Sequence, residues 1–538
     1  MKQTTFFQKT FKAFFCTLFV WISLNYLFLP SQTISPQSKY QLILSLLGWG
    51  ILFGAILFLI RKIPIFFVNW LRSHQVLILT FIFCVLFFLQ SFLSFFSFQL
   101  TGWDAGFIYE TAYNSVATSN GPTPTHYYYY MYPNNLTLLS LEVNLLKFFI
   151  EVLNFSDFSL CYYLLILFNI LLVDISIFFC FCLSRKFLSE SHSYLVLLSC
   201  IFLYGFSPWI TIVYSDTITQ LFVPLILLTF IHGVSAHSIF HKCICFFLSG
   251  IYLLLGASIK PTVAIAGIAF FAWYVIKIKL CKIRSLLSIK KIGIGVCVLF
   301  SLLTGMFAGY CANQSFTHTT IQPYGYDFSD SSQEMPWSHF LMMGLTVKTN
   351  PQGQIVSYGA WNSDSIAYTA SFPSKEEKVA GNIKAVEDTL HSMGAARYFR
   401  FLNEKLLWIT NDGTFFWGGE GGFFQGVSPS VEAMQGNWGK TLKSWIVIDS
   451  PNYSFLQTLQ QGLWLLFLVL IAVPLFIKDE FDLTCDLIGC LRFSAVGILS
   501  FILLFEGRSR YLISFLPVFA MLATYGLICI DKKIHRRE

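Results

Sequence analysis

Asp104 follows Trp103 just past the end of a long apolar run, and Glu110 stands six residues further on. The tract His126-Tyr127-Tyr128-Tyr129-Tyr130-Met131-Tyr132-Pro133-Asn134-Asn135 comes next, and Tyr132 opens its Tyr-Pro step. Three more polar groups interrupt apolar sequence: Tyr214-Ser215-Asp216-Thr217, Lys260-Pro261, and Glu506-Gly507-Arg508-Ser509-Arg510-Tyr511. The carboxylates could take a proton from a hydroxyl or hold a divalent cation such as Mg or Mn. The cations Lys260, Arg508 and Arg510 could neutralise a departing phosphate. Plainer roles stand beside these: Asp104 and Asp216 as helix caps, Lys260 snorkelling, and the arginines anchored to lipid phosphates.

The elements that would position these groups are membrane spans. With 538 residues, 55% hydrophobic and only 12% charged, the chain has more apolar surface than a soluble domain could bury. The expected fold is an all-α polytopic membrane protein with about twelve transmembrane helices, since a span needs roughly 20 apolar residues. They fall near residues 11–29, 41–60, 76–98, 159–182, 193–213, 218–236, 243–258, 262–278, 291–311, 458–477, 484–505 and 512–530. This gives an N-terminal transmembrane module (1–311), a large loop domain of mixed structure (312–457) and a C-terminal transmembrane module (458–538).

Basic residues are retained on the cytoplasmic side, and with the N-terminus inside, 20 of the 35 lie in short cytoplasmic segments, among them the cluster Lys277 to Lys291. The 312–457 stretch has 9 basic and 13 acidic residues, which places it outside. Both termini are then cytoplasmic, and Asp104, Asp216, Lys260 and Arg508 share the outer face of a cell membrane. The net charge of +7 is thus an insertion signal, with no basic stripe suited to nucleic acid. The 14 cysteines show neither a disulfide framework nor zinc spacing.

Residues 136–153 are nearly apolar enough to be another span, but Ser140, Asn144, Lys147 and Glu151 form one polar stripe. That pattern predicts a juxtamembrane helix in the outer loop 99–157, with its apolar face in lipid. In the large loop, Ser374 and Glu377 have capping-box spacing and predict a helix from Lys375 to Gly394. Trp337, Trp361, Trp408, Phe415, Phe416, Trp417 and Phe423 suit a small core or a bilayer contact, and secondarily glycan stacking. Gly418–Gly422 lacks the strand-helix setting of a nucleotide fingerprint.

Carboxylates and cations on one outer face fit glycosyl transfer from a lipid-linked sugar, because nucleotide sugars are not supplied there. Trp103-Asp104, Tyr132-Pro133-Asn134-Asn135, Tyr214-Ser215-Asp216-Thr217, Gly256-Ala257-Ser258-Ile259-Lys260-Pro261-Thr262 and Glu506 with Arg510-Tyr511, in this order, resemble the GT-C superfamily of polytopic glycosyltransferases. The likeness is to bacterial relatives of protein O-mannosyltransferases and of the lipid A aminoarabinose transferase, and to Gram-positive membrane proteins of that type. It covers roughly residues 76–278 and 484–530. The resemblance implies that Asp104 is the general base, Asp216 a second acidic or metal-linked residue, and Lys260 with Arg508 or Arg510 the phosphate contacts. Glu110, Tyr132 and Tyr511 complete the candidate substrate contacts. Ala105 stands where protein O-mannosyltransferases carry a second acid.

The expectation is an integral membrane glycosyltransferase. It would move a sugar from a polyprenyl-phosphate donor to a cell-envelope glycan, glycolipid or protein. A transporter or flippase of lipid-linked sugars, or a polymerase or ligase of lipid-linked oligosaccharides, is the alternative.

Overall fold

A backbone inside hydrocarbon must satisfy its own N–H and C=O groups, so apolar helices set this architecture. The computed structural model describes residues 2–28, 38–117, 126–280, 289–417, 419, 424–477 and 485–535. Among them ten helices are long and apolar enough to cross a bilayer: Phe6–Phe28, Lys39–Lys62, Gln75–Ser97, Phe158–Ser184, Ser215–Ser235, Ile239–Ile259, Gly293–Tyr324, Tyr453–Phe476, Asp486–Leu504 and Ser509–Ile534. The chain is an all-α polytopic membrane protein, and its strands among the described residues form only two two-stranded sheets.

Two of the twelve expected spans are irregular. The fifth is α-helical over Glu190–Cys200 and π-helical over Ile201–Gly205, and Pro208, lacking an N–H, then opens a 3-10 turn to Thr211. The eighth is a shorter apolar helix, Pro261–Ile276. The chain beside each irregularity carries Tyr214 to Asp216 and Lys260 into the protein interior. Irregular backbone at membrane depth is tolerated where protein encloses it.

Ser509–Ile534 is the central helix, 94% buried, whereas Gly293–Tyr324 is 11% buried and Lys39–Lys62 and Gln75–Ser97 are 17% buried. The peripheral helices leave Ile51, Phe81, Phe300 and Phe307 exposed, an apolar surface suited to lipid. The Arg508 to Tyr511 motif therefore enters at the end of the most enclosed helix.

Leu136–Lys147 is a helix, but its apolar face is not turned to lipid. Leu138, Leu139, Val143 and Leu146 are buried, and the helix packs on Asp104–Ala117 and on Ile289–Ile321. The polar side docks it, with Asn144 Nδ2 donating to Thr320 Oγ1 at 2.9 Å and Thr137 Oγ1 to Asn313 Oδ1 at 3.2 Å. These partners exist because the ninth span runs on past residue 311 to Ile321. A polar stripe looks the same whether headgroups or another helix will face it.

Two helices, Ile289–Ile321 and Tyr453–Ala472, run across the limits expected for the 312–457 segment. Between them lie Trp337–Met343, a hairpin of Val347–Thr349 with Ile355–Tyr358, and the helices Ser363–Ala370, Lys375–Thr410 and Pro429–Ile446. Ser374 caps its helix, accepting from the Glu377 N–H at 3.2 Å. The helix does not stop at Gly394, however; this glycine bends the path at φ 65° and ψ 167°, and helix resumes to Thr410.

The aromatic residues of this segment divide. Phe415 and Trp417 join the main core, Trp408 packs beside a small core of Leu345, Tyr358 and Phe401, and Trp337 and Trp361 remain exposed. Phe423, most of the Gly418–Gly422 turn, and Lys282 and Arg284 of the basic cluster lie outside the described residues.

Candidate functional site

Asp104 is the first residue of helix Asp104–Ala117, where free N–H groups favour a carboxylate. The approach to it is held by Leu100–Thr101, paired antiparallel with Phe424–Gln425. Gly106 makes the first turn possible, since a Cβ there would lie 1.5 Å from the Thr101 carbonyl oxygen. Tyr214 Oη donates to Asp104 Oδ2 at 3.4 Å.

Beside Asp104 is a nest of rings around one guanidinium. Arg510 Cζ lies 4.7 Å from the Trp103 ring centre and 5.3 Å from those of Tyr214 and Tyr511. Its Nη1 donates to Asp216 Oδ2 at 3.1 Å, and Lys260 Nζ pairs with Asp216 Oδ1. Lys260 also lies 4.7 Å from the Tyr511 ring centre. Asp216 is fully buried, and its two cationic partners supply the compensation that a buried carboxylate requires. Arg508 adds a further guanidinium beside this trio.

Arg508 rests on Phe416, 5.2 Å from the ring centre. Phe415 and Phe416 adopt φ of 55° and 66°, a left-handed pair that is costly for bulky residues. Asp412 holds them there: it accepts from Thr414 N at 2.9 Å, Thr414 Oγ1 at 2.6 Å and Phe416 N at 2.6 Å. Ser509 Oγ donates to the same carboxylate at 2.9 Å, so one acid joins the 412–417 turn to the head of the central helix.

The Phe505 to Arg508 turn is stitched from the other side as well. Lys405 Nζ donates to the carbonyls of Gly344 at 2.8 Å, Leu503 at 3.1 Å and Phe505 at 2.6 Å. Glu506 N donates to Phe340 O at 2.8 Å and Gly507 N to Gly359 O at 2.9 Å.

These groups surround a cavity of about 840 Å³. Asp104, Tyr132, Arg508, Arg510 and Tyr511 all line it, as the sequence reading requires. Asp216 and Lys260 are not among its lining residues and act on it through Arg510 and Tyr511. Glu110 is exposed, six residues along the helix from Asp104, and borders a separate void of about 60 Å³ with Phe158 and Tyr162. It is therefore not gathered with the others. Sequence reasoning missed Asp412, whose signal was an acid set in the turn Asn411-Asp412-Gly413-Thr414 just before a run of aromatic residues. Tyr128 and Glu506, noted in their motifs without roles, also line the cavity.

Burial pushes Arg508 down to about 10, with the neighbouring Arg510 adding to the effect, so Arg508 remains a cation at neutral pH. Burial raises Glu506. Burial and the Asp104 charge raise the phenols of Tyr128, Tyr132 and Tyr214, which stay neutral hydrogen-bond donors.

Asp216 does not fit the metal-ligand role, because both of its oxygens are already engaged by cations. Among the described residues no group of three or more His, Cys, Asp or Glu is placed to hold a metal ion. The site instead offers a carboxylate facing two guanidiniums, an arrangement able to accept a proton at one end and to stabilise an anion at the other.

No curated protein and no solved structure matches this chain. A family model described as "conserved hypothetical integral membrane protein" matches residues 2–528, and the chain belongs to that family.

Proposed function

We propose that this protein is a membrane glycosyltransferase that takes a sugar from a polyprenyl-phosphate carrier and adds it to an extracytoplasmic acceptor. The observation that carries this reading is the presence, in one cavity, of Asp104 together with Arg508 and Arg510. Asp104 takes the proton from the acceptor hydroxyl as its oxygen bonds to the anomeric carbon. The bond from that carbon to the phosphate oxygen breaks, and its electron pair leaves with the phosphate, which Arg508 and Arg510 neutralise. A single displacement inverts the anomeric centre, through an oxocarbenium-like transition state.

Asp216 and Lys260 serve as positioning residues that hold Arg510 against Trp103. The distribution of basic residues supports placing the cavity on the outer face of the cell membrane, with both termini inside. Two guanidiniums on the cavity wall, Arg508 and Arg510, supply positive charge for the departing phosphate.

The test compares envelope glycans, glycolipids and proteins by mass spectrometry in cells carrying the wild-type protein or Asp104→Asn. Loss of a general base is expected to slow transfer by about 10²- to 10⁴-fold. The mass of one sugar should then disappear from the acceptor. Full modification by an Asp104→Asn protein inserted at the normal level would overturn the reading, and a carrier of lipid-linked sugars would take its place.

A further inference from the structure

The membrane helices supply the acid and the cations of the cavity, but the 312–457 segment supplies much of its remaining wall, including Phe340, Trp361, Trp408 and Phe416. Trp361 is 46% exposed, and Trp408 meets Phe416 edge to face with ring centres 6.0 Å apart. An indole left half exposed beside the cavity is an unused face. Flat apolar faces rimmed by hydrogen-bonding groups suit a pyranose, whose C–H faces stack while its hydroxyls point sideways.

Two further lining groups point the same way. Trp103 Nε1 and Gln457 Oε1 are buried without a hydrogen-bond partner among the described residues. Gln457 is only 2% exposed. A buried donor and a buried acceptor left open are costly unless a ligand completes them, and a hydroxyl group both donates and accepts. The cavity lies within the range of ~300–1,000 Å³ common for small-ligand sites, large enough for a sugar-phosphate head and a further sugar unit.

Resting on the transferase reading above, we infer that the acceptor is a saccharide, whose terminal ring stacks on Trp361 and Trp408 and whose hydroxyls reach Trp103 Nε1 and Gln457 Oε1. The 312–457 segment is then the acceptor-recognising part of the protein. A polypeptide acceptor is the competing outcome.

Saturation-transfer difference NMR on the full chain in lipid nanodiscs tests this, with cellotriose, maltotriose and chitotriose as saccharide probes and a Ser/Thr-rich peptide as the competitor. No donor is present, so binding is judged apart from turnover, and an active Asp104→Asn would sink the chemistry without touching this result. Saturation should pass to at least one saccharide. Trp361→Ala should weaken that binding by about tenfold, while Trp361→Phe, which keeps a stacking face, stays near wild type. Thermal unfolding of each variant confirms that Trp361, half exposed, was removed from an intact fold. Transfer to none of the saccharides, transfer undiminished in Trp361→Ala, or transfer to the peptide alone would overturn the inference.

Discussion

Arg510 and Asp216, 294 residues apart in the chain, meet in a 3.1 Å hydrogen bond inside the protein. The pair is closed by Lys260 on the other carboxylate oxygen, so three helix ends are tied at one point. This relationship divides the charges of the candidate site into two jobs. Asp104, Arg508 and Arg510 face the cavity; Asp216 and Lys260 stand behind and fix Arg510 among its rings.

Replacing Asp216 by Asn would leave two cations close together in a buried setting. Breaking such a cluster costs about 3–5 kcal/mol, mainly because the remaining charge is uncompensated. Asp216→Asn should therefore unfold at clearly lower temperature in detergent, and adding Lys260→Met should recover part of the loss. Equal melting of Asp216→Asn and wild type would show that the pair does not support the fold.

The Asp104 turn depends on a missing side chain. A methyl group at Gly106 would stand 1.5 Å from Thr101 O, and backbone at that distance has to move. Gly106→Ala should cost about 1–3 kcal/mol as an overpacked site and should displace Asp104 from Tyr214. Sugar transfer is expected to fall more than protein yield does, and a variant with unchanged transfer would refute this.

Much of this arrangement was legible in sequence. Apolar runs located most of the spans, and Trp103-Asp104, Tyr132, Arg508, Arg510 and Tyr511 do line one cavity. What escaped was decided by tertiary partners. The Leu136–Lys147 stripe could not reveal that Thr320 and Asn313 would face it, and Glu110 shares a helix with Asp104 but not a side of it. Asp412 acquires its role only when the chain brings Ser509 to it, 97 residues later.

Asp412 also yields a kinetic prediction. An Asn at this position offers one acceptor oxygen and an amide that cannot accept, so either the pair of bonds from Phe416 N and Ser509 Oγ on one oxygen or the pair from Thr414 N and Oγ1 on the other must fail. The left-handed turn at Phe415 and Phe416 then relaxes, and Arg508 loses the ring beneath it. Because hydrogen bonds to a charged group contribute about 1.5–3 kcal/mol, Asp412→Asn should raise KM for the lipid donor by roughly tenfold or more. A change confined to kcat, with KM unaltered, would argue against this chain of contacts.

Lys405 gives the site a dependence on pH. Burial pushes its ammonium down to about 7, although Glu506 draws it back up, and its three carbonyl acceptors hold the turn that carries Arg508. The ordinary value, 10.5, applies to the unfolded chain. Between about 7 and 10.5 the unfolded chain therefore holds a proton that the folded protein has released. By linkage this group makes stability rise with pH across that window, by at most about 1.4 kcal/mol per pH unit, and contributes no slope below it. Thermal unfolding in nanodiscs at pH 6, 7.5 and 9 should show that upward contribution in wild type and its loss in Lys405→Met. The difference in melting between wild type and the variant should therefore be smallest at pH 6 and widest at pH 9. Parallel pH profiles for the two proteins would show that Lys405 keeps its proton throughout, and that the clamp on the Arg508 turn is permanently charged.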